Sequence, residues 1–492
     1  MNGDTVVALS TPPGESGIAV IRISGPEAAP IMRAMATAAG RWESHTIHRA
    51  ILRNIEREPM DDALAVIMKA PDSYTGEDVA EIYCHGSMQV VSAIIEDALA
   101  RGAVPAGPGE FTKRAYLNGR LDLVQAEAVA DLISSETRLQ SIVALEHLEG
   151  ALSERIAGIE KILMEQLALV EVSIDFSEEK IETWDGAGLG AIVAGAKRSL
   201  AGLLESEVAG KKLRRGIRIT ILGPRNAGKS SLYNALIGEE RAIVSPVPGT
   251  TRDLLRERIH MGGFTYYLED TAGIAETGCE IEARGISMGR RAAEDADLVL
   301  FVIDGSVEID EGTARELALA GGRESITVLN KADLVPGPHR VAGEKDSSPE
   351  AAGHKAAGSK VPASEAPRKA PGDNFPAAEA GAGIDPTRIV SVSALTGEGL
   401  EELKRMIFER TVGREVSRIG GERIALNARQ AAALREAMEA LGRVEKELSG
   451  EKGAEIISLE LREAIDACGR VTGRSTAADL LDTIFSRFCI GK

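Results

Sequence analysis

The sequence predicts a multidomain protein of the α/β plus α class. An N-terminal α+β domain is followed by a helical bundle, and the bundle is interrupted by an inserted domain built on a parallel sheet. Three observations predict this. The chain has 492 residues, too many for one ordinary domain, and 44% of them are hydrophobic, enough for several cores. Apolar residues recur at helical spacing in two separate stretches. Between those stretches, short β-branched and aromatic runs alternate with helical patterns, as a parallel sheet with crossover helices requires.

The elements follow in chain order. Within 1–118, residues 6–9, 18–23, 63–68 and 79–84 read as short strands and 90–100 as a helix. Across 119–215, Leu132, Leu139, Val143, Ile156, Ile159, Leu163, Leu167 and Val170 fall at helical spacing, the pattern of long bundle helices. Across 216–410 the runs at 217–222, 264–268, 298–303, 326–329 and 389–392 read as strands, most of them followed by helices. Residues 411–492 return to helix, with Leu434, Met438, Leu441 and Val444 on one face. Thr476-Ala-Ala-Asp479 resembles a capping box and opens a last helix through Leu480, Ile484 and Phe488. The two helical stretches flank the sheet domain, so the economical arrangement is one bundle with that domain inserted in it. Segment 336–388 stands apart: it is rich in Ala, Gly, Pro, Ser, Lys and Glu and nearly lacks large apolar side chains. It buries too little surface to offset its chain entropy and is expected to be a disordered insertion, in its plain reading a tether.

The net charge is −18, from 75 acidic against 57 basic residues. Such a surface repels phosphate backbones at long range, so any nucleic-acid contact is expected to be local or carried by a partner. The cysteines are Cys84, Cys279, Cys468 and Cys489, with no CxxC pair, which argues against a zinc site and against a disulfide framework. The first residues lack a basic n-region, and no run approaches ~18 uninterrupted apolar residues, so neither a signal peptide nor a membrane span is expected and the cytoplasm is the expected location.

The chemistry concentrates between 223 and 395. Gly223-Pro-Arg-Asn-Ala-Gly228-Lys229-Ser230 fits G-x4-G-K-[ST], after one predicted strand and before a helix. Its glycines let backbone N–H groups close around phosphate oxygens, Lys229 reaches the β- and γ-phosphates, and Ser230 offers its hydroxyl to Mg²⁺. Asp270-Thr271-Ala272-Gly273 follows the next strand; the carboxylate can hold Mg²⁺ through water and the Gly273 N–H can sense the γ-phosphate. Asn330-Lys331-Ala-Asp333 ends a further strand, and Asp333 can accept from guanine N1 and N2, donors that adenine lacks. Ser393-Ala394-Leu395 ends the last strand, where the Ala394 N–H can meet guanine O6. Gly249-Thr250-Thr251-Arg-Asp253 is a switch candidate, in which Thr251 or Thr250 can reach Mg²⁺. Four motifs in this order at strand ends predict a Ras-like P-loop GTPase domain selective for GTP. The predicted nucleotide set is Asn226, Ala227, Gly228, Lys229, Ser230 and Ser231, then Ser245, Pro246, Val247, Pro248, Gly249, Thr250 and Thr251, with the Asp270–Gly273, 330–333 and 393–395 groups above.

Many small GTPases carry a glutamine directly after the DxxG motif to orient water, but here Ile274 stands in that place. Two residues can compensate. Asn226 could help ligate a monovalent cation that supplies charge where an arginine finger would. Glu282 could orient water, although by composition alone a glutamate there also reads as a solvated acid at a helix start.

These motifs, with Thr11-Pro-Pro-Gly14, Ser73-Tyr-Thr-Gly-Glu-Asp78, Pro108-Gly-Glu-Phe-Thr-Lys-Arg114, Leu117-Asn-Gly-Arg-Leu-Asp-Leu-Val-Gln-Ala-Glu127 and the final Cys489-Ile-Gly-Lys492, closely resemble the tRNA-modification GTPases of the MnmE/TrmE family over nearly the whole chain apart from the insertion. The resemblance implies a homodimer joined through the N-terminal domain. That domain would bind a one-carbon donor, 5-formyl- or 5,10-methylene-tetrahydrofolate, through Arg22, Glu81, Arg120 and Lys492. It implies an FAD-dependent partner, GidA or MnmG, in a heterotetramer that adds a carboxymethylaminomethyl or aminomethyl group to C5 of the wobble uridine of certain tRNAs. It also implies K⁺ at Asn226, Ser245, Val247 and Thr250, Mg²⁺ at Ser230 and Thr251, and catalysis by Glu282. Two departures stand out. The P-loop reads Gly-Pro-Arg-Asn where the family usually has Gly-Arg-Pro-Asn, and segment 336–388 lengthens the run between the guanine motifs. Both leave Asn226, Gly228, Lys229 and Ser230 in place.

Cys489 has three readings: a covalent nucleophile toward uridine, a positioning group in the folate pocket, and packing. Its CxGK frame is a poor prenylation signal because Lys is last. His85 reads as a turn residue rather than a base. The alternative for the whole chain is a regulatory GTPase of ribosome assembly sharing only the G domain. The N-terminal matches and the terminal motif speak against it, as does the lack of a basic appendage.

Overall fold

The computed structural model describes residues 3–38, 41–175, 185–238, 256–270, 295–307, 312–313, 317, 324–335, 386–413, 423–449, 453–475, 478–486 and 488–492. They form two compact units, one of Met1–Lys211 with Arg418–Lys492 and one of Lys212–Ser417.

In the first unit, strands β1 (Val6–Leu9), β2 (Ser16–Ser24), β3 (Ala36–Ala38), β4 (His48–Arg53), β5 (Pro59–Met68), β6 (Val79–Gly86) and β7 (Val104–Pro105) make one sheet in the order β3-β4-β5-β6-β2-β1-β7. All neighbours are antiparallel except β1 with β7. Alternation sorts the side chains. Ile21, Ile23, Ala80, Ile82 and Cys84 point to one face and are buried with Ile31, Met32 and Met35 of helix Ala28–Met35 and Val91 and Ile94 of helix Met88–Ala100. The opposite face carries Arg22 and Glu81, direct partners across β2 and β6. Strand β4 and the helices Ala28–Met35 and Glu110–Leu117 are short elements that the sequence reading did not single out.

The bundle is built from both sides of the inserted domain. Helices Ala151–Asp175 and Gly186–Leu204 share one core with Ala428–Leu448 and Ala454–Thr472, in which Ile156, Leu163, Val193, Leu434, Leu441 and Leu461 are fully enclosed. Met438 and Leu167 pack against it half-buried. Helices Leu123–Ile133, Arg138–Leu148 and Ala428–Leu448 each start on a reciprocal capping box with glutamine at the third helical position: Asp122–Gln125, Thr137–Gln140 and Asn427–Gln430. Each cap stabilises its helix by about 1 kcal/mol. The stretch Gly186–Arg215 is long and apolar enough to pass a length-and-composition test for a membrane-spanning helix, which the sequence had not led us to expect. Its Leu189, Val193, Leu200 and Leu203 are taken up by the bundle core. The last helix, Ala478–Phe485, ends before Phe488, which instead packs back on Phe485 with ring centroids 5.3 Å apart. Thr476 of the expected capping box lies outside the described residues.

The second unit holds β8 (Ile217–Leu222), β9 (Arg256–Met261), β10 (Phe264–Asp270), β11 (Leu298–Asp304), β12 (Ser325–Asn330) and β13 (Ile389–Ser391) in the order β13-β12-β11-β8-β10-β9. The sheet is parallel except for the β9–β10 hairpin. That hairpin turns on Gly262 and Gly263, both at positive φ, a Gly-Gly turn whose signal was present in the sequence. Residues 336–385 of the expected insertion lie outside the described residues. Pro386–Arg388, expected to belong to it, form a 3-10 turn leading into β13, where the Thr387 carbonyl accepts from Arg410 at 3.0 Å.

Candidate nucleotide and one-carbon sites

The carboxyl ends of β8, β10, β12 and β13 all lie at one edge of the G-domain sheet, where α/β proteins bind their ligands. β8 runs into the loop 223–228 and then into helix Lys229–Gly238. Gly223 sits at φ +139, and a Cβ there would collide with the Val302 carbonyl oxygen of β11. Gly228 sits at φ +87, and a Cβ there would collide with the Asn330 side-chain amide. Only glycine allows the loop to lie this close to its neighbours. Asn226 holds the left-handed conformation at φ +60 and is exposed, as is Ser230. The Lys229 ammonium folds back under the loop, donating to the Gly223 carbonyl at 3.0 Å and the Pro224 carbonyl at 2.8 Å. The start of helix Lys229–Gly238 adds the positive end of its dipole to this cradle.

Asn330 ties the loop to the 393–395 segment. It is 2% exposed, donates to the Ala227 carbonyl at 3.0 Å and the Gly228 carbonyl at 3.3 Å, and accepts from the Ala394 N–H at 3.1 Å. Asp333 accepts from the Ser393 hydroxyl at 2.6 Å, and that hydroxyl accepts from the Thr396 N–H at 3.1 Å. Lys331, at φ +63, donates to Asp304 at 2.6 Å. Burial pushes the Asp304 carboxyl up, but the Lys331 ammonium and the Ser306 hydroxyl and amide outweigh it and hold it below its ordinary value. Leu395 is 85% exposed beside these groups in the chain.

In the first unit, Arg22 donates through Nε to Glu81 Oε1 at 2.8 Å, and Tyr83 donates to Glu81 Oε2 at 2.6 Å. The Arg22 guanidinium lies 5.3 Å from the Tyr74 ring centroid and 5.5 Å from that of Phe111, a cation between two aromatic faces. The 488–492 tail docks onto the same domain. Ile490 bridges Pro108, the Cys489 carbonyl accepts from Gly109 at 3.3 Å, and the Lys492 carbonyl accepts from Phe111 at 3.2 Å. Burial, then the Arg22 charge, lowers the Lys492 ammonium from its ordinary value, with Glu81 and Cys489 opposing. Burial pushes Cys84 up to about 11 and Cys468 up to about 12, which keeps both thiols protonated, whereas Cys489 is exposed.

A profile described as the MnmE helical domain matches residues 123–489, and one described as the GTP-binding protein TrmE N-terminus matches residues 5–120. The tRNA modification GTPase MnmE of Syntrophotalea carbinolica is 40% identical over 100% of both chains. Its namesakes from Geobacter metallireducens and Natranaerobius thermophilus are 38% and 39% identical, over 99% and 100% of both chains. The chain belongs to the MnmE family. Membership makes it a GTP-hydrolysing enzyme on a P-loop fold.

Of the residues predicted for the MnmE nucleotide site, the structure brings Ala227, Gly228, Lys229, Asn330, Asp333, Ser393 and Ala394 into one connected set. Ser245, Pro246, Val247, Pro248, Gly249, Thr250, Thr251, Thr271, Ala272, Gly273 and Glu282 lie outside the described residues, and Asp270 is placed only by its strand. Arg22, Glu81 and Lys492 come together, while Arg120 is exposed on the turn after helix Glu110–Leu117 with its side chain against Gly76. His85 is an exposed residue at the end of β6 whose ring and backbone N–H both meet Asp61. Four residues escaped the sequence reading: Asp304 beside Lys331, and Tyr74, Phe111 and Tyr83 around Arg22. Asp304, as the last residue of β11, had a positional signal, whereas Tyr74 and Phe111 meet Arg22 only in the folded domain and Tyr83 gains its place through the pairing of Glu81 with Arg22.

Proposed function

We propose that this chain is a potassium-activated GTPase that works with an FAD-dependent GidA/MnmG partner. Together they add a carboxymethylaminomethyl or aminomethyl group to C5 of the wobble uridine of certain tRNAs, with a tetrahydrofolate one-carbon donor. The observation that carries the reading is the docking of the 488–492 tail beside Arg22 and Glu81, in the same chain as a wired guanine site. A GTPase of ribosome assembly would have no use for such an arrangement. The full-length likeness to proteins named tRNA modification GTPase supports the reading. Homodimerisation through the N-terminal domain, assembly into a heterotetramer and a cytoplasmic location belong to the same proposal.

The residues present fit the implied groups. The hydroxyl of Ser230 and the amide oxygen of Asn226 are hard donors exposed at the P-loop, suited to Mg²⁺ and K⁺. Thr251 would complete the magnesium set, and Ser245, Val247 and Thr250 the potassium set. Arg22, Glu81 and Lys492 offer a folate two cations and one carboxylate beside aromatic faces. When bound, the metal ions supply charge beside the β- and γ-phosphates and the folate supplies the one-carbon unit.

The chain's own residues do the rest. Lys229 moves from the Gly223 and Pro224 carbonyls to the phosphates, Asp333 recognises the guanine edge, and Glu282 orients the attacking water. The Cys489 carbonyl accepts from the Gly109 N–H while its side chain stays exposed, which favours positioning over packing. Nucleoside mass spectrometry of tRNA from a deletion strain tests the proposal. We expect loss of the modified wobble uridine and its return with the wild-type chain but not with Lys229→Ala. Unchanged wobble uridines in the deletion strain would overturn it.

A further inference from the structure

The Arg22 site has a feature that the folate reading leaves unexplained. The Arg22 side chain is 15% exposed and Glu81 12%. Arg22 spends only Nε on Glu81, and among the described residues its two terminal nitrogens have no hydrogen-bond partner. A carboxylate facing a guanidinium ordinarily forms a two-point fork. Here the second oxygen of Glu81 is occupied by the Tyr83 hydroxyl at 2.6 Å, two residues along β6 on the same face. Tyr74 and Phe111 keep the guanidinium plane from swinging away, and the Tyr74 hydroxyl is itself tied to Thr112 at 2.9 Å.

We propose that Tyr83 is a positioning residue. By holding one oxygen of Glu81, it confines the Glu81–Arg22 pair to a single contact and leaves the terminal guanidinium nitrogens, with the Lys492 ammonium, turned toward an anionic or carbonyl-bearing group of the ligand. The high pKa of Tyr83, pushed up to about 12 by burial and then by Glu81, keeps this hydroxyl a donor at every physiological pH. The inference rests on the folate reading and names what sets the geometry of that site.

The test is calorimetric titration of the full chain with 5-formyltetrahydrofolate. Tyr83→Phe removes the hydroxyl and keeps the ring, and should weaken binding about tenfold. Tyr83→Gln loses the ring but restores a donor to Glu81, and should recover most of that loss. A packing role predicts the opposite order, with Phe better than Gln. In a Glu81→Gln background the Tyr83→Phe loss should largely vanish, since the two side chains act as one unit. Wild-type chain that binds no 5-formyltetrahydrofolate would overturn the folate reading and this inference with it. Wild-type binding with Tyr83→Phe equally tight, or with Gln worse than Phe, would overturn the positioning role alone.

Discussion

Asn330 and Ala394 are joined by a 3.1 Å hydrogen bond from the Ala394 N–H to the Asn330 side-chain oxygen, while the same side chain donates to the P-loop at Ala227 and Gly228. One buried amide therefore fixes the distance between the phosphate cradle and the guanine-recognition segment. Replacing it by alanine leaves buried backbone groups unpaired, at about 1–3 kcal/mol each. Asn330→Ala should weaken guanine nucleotide binding about 10- to 100-fold, read by titration with a fluorescent GDP analogue. Retained affinity would show that the two segments are held together by other means.

Ser393 holds the carboxylate proposed to recognise the base. Its hydroxyl donates to Asp333 at 2.6 Å. In Ser393→Ala the carboxylate is free to rotate, and the preference for GTP over ATP should fall about tenfold, the worth of one hydrogen bond to a charged group. Competition of ATP against labelled GDP measures it.

Gly491 pins the tail. It sits at φ +93, and a Cβ there would collide with the Leu9 carbonyl oxygen at the end of β1. Gly491→Ala adds a strained backbone of about 1–2 kcal/mol to that collision. The tail should leave its place beside Pro108 and Phe111, folate binding should drop, and GTP hydrolysis should persist. Equal folate affinity in the variant would separate the tail from that site.

The Asp304–Lys331 pair gives a pH dependence with a definite sign. The folded carboxyl lies below its ordinary value, so its stabilisation is complete above the unfolded value of ~3.9 and is lost as pH falls through the lower folded value. The pair is partly exposed, with side chains 19% and 32% accessible, and is worth about 0.5 kcal/mol. Acid unfolding of Asp304→Asn should show less loss of stability below pH ~4 than the wild type, since no carboxyl remains there to protonate.

Potassium and Glu282 should affect turnover rather than binding. Replacing potassium by sodium should slow GTP hydrolysis while leaving GDP affinity near normal, and Glu282→Ala should do the same in potassium buffer. A full-rate Glu282→Ala enzyme would remove that carboxylate from the mechanism.

The G domain was legible because its chemistry is local. The loop 223–230, the 330–333 segment and the 393–395 segment each announce themselves by residue type over a few positions, and the ends of β8, β12 and β13 place them where the sequence put them. The bundle was legible for a related reason. Helical spacing of Ile156, Leu163, Leu434 and Leu441 reports a buried stripe without saying what covers it. Short elements such as β4 and helix Glu110–Leu117 were not legible, because a few residues carry too weak a period.

The amino-acid sequence by itself determined that this chain closes a glycine loop around phosphate, prefers guanine, and ends in a Cys-x-Gly-Lys tail. Only the tertiary structure decided that Tyr83 and Arg22 share the two oxygens of Glu81, that Asp304 takes the Lys331 ammonium, and that the tail lies against β1. The reason is physical. A phosphate loop is a property of consecutive backbone conformations, whereas the Arg22–Glu81 contact and the docked tail depend on strand register and packing between residues dozens or hundreds of positions apart.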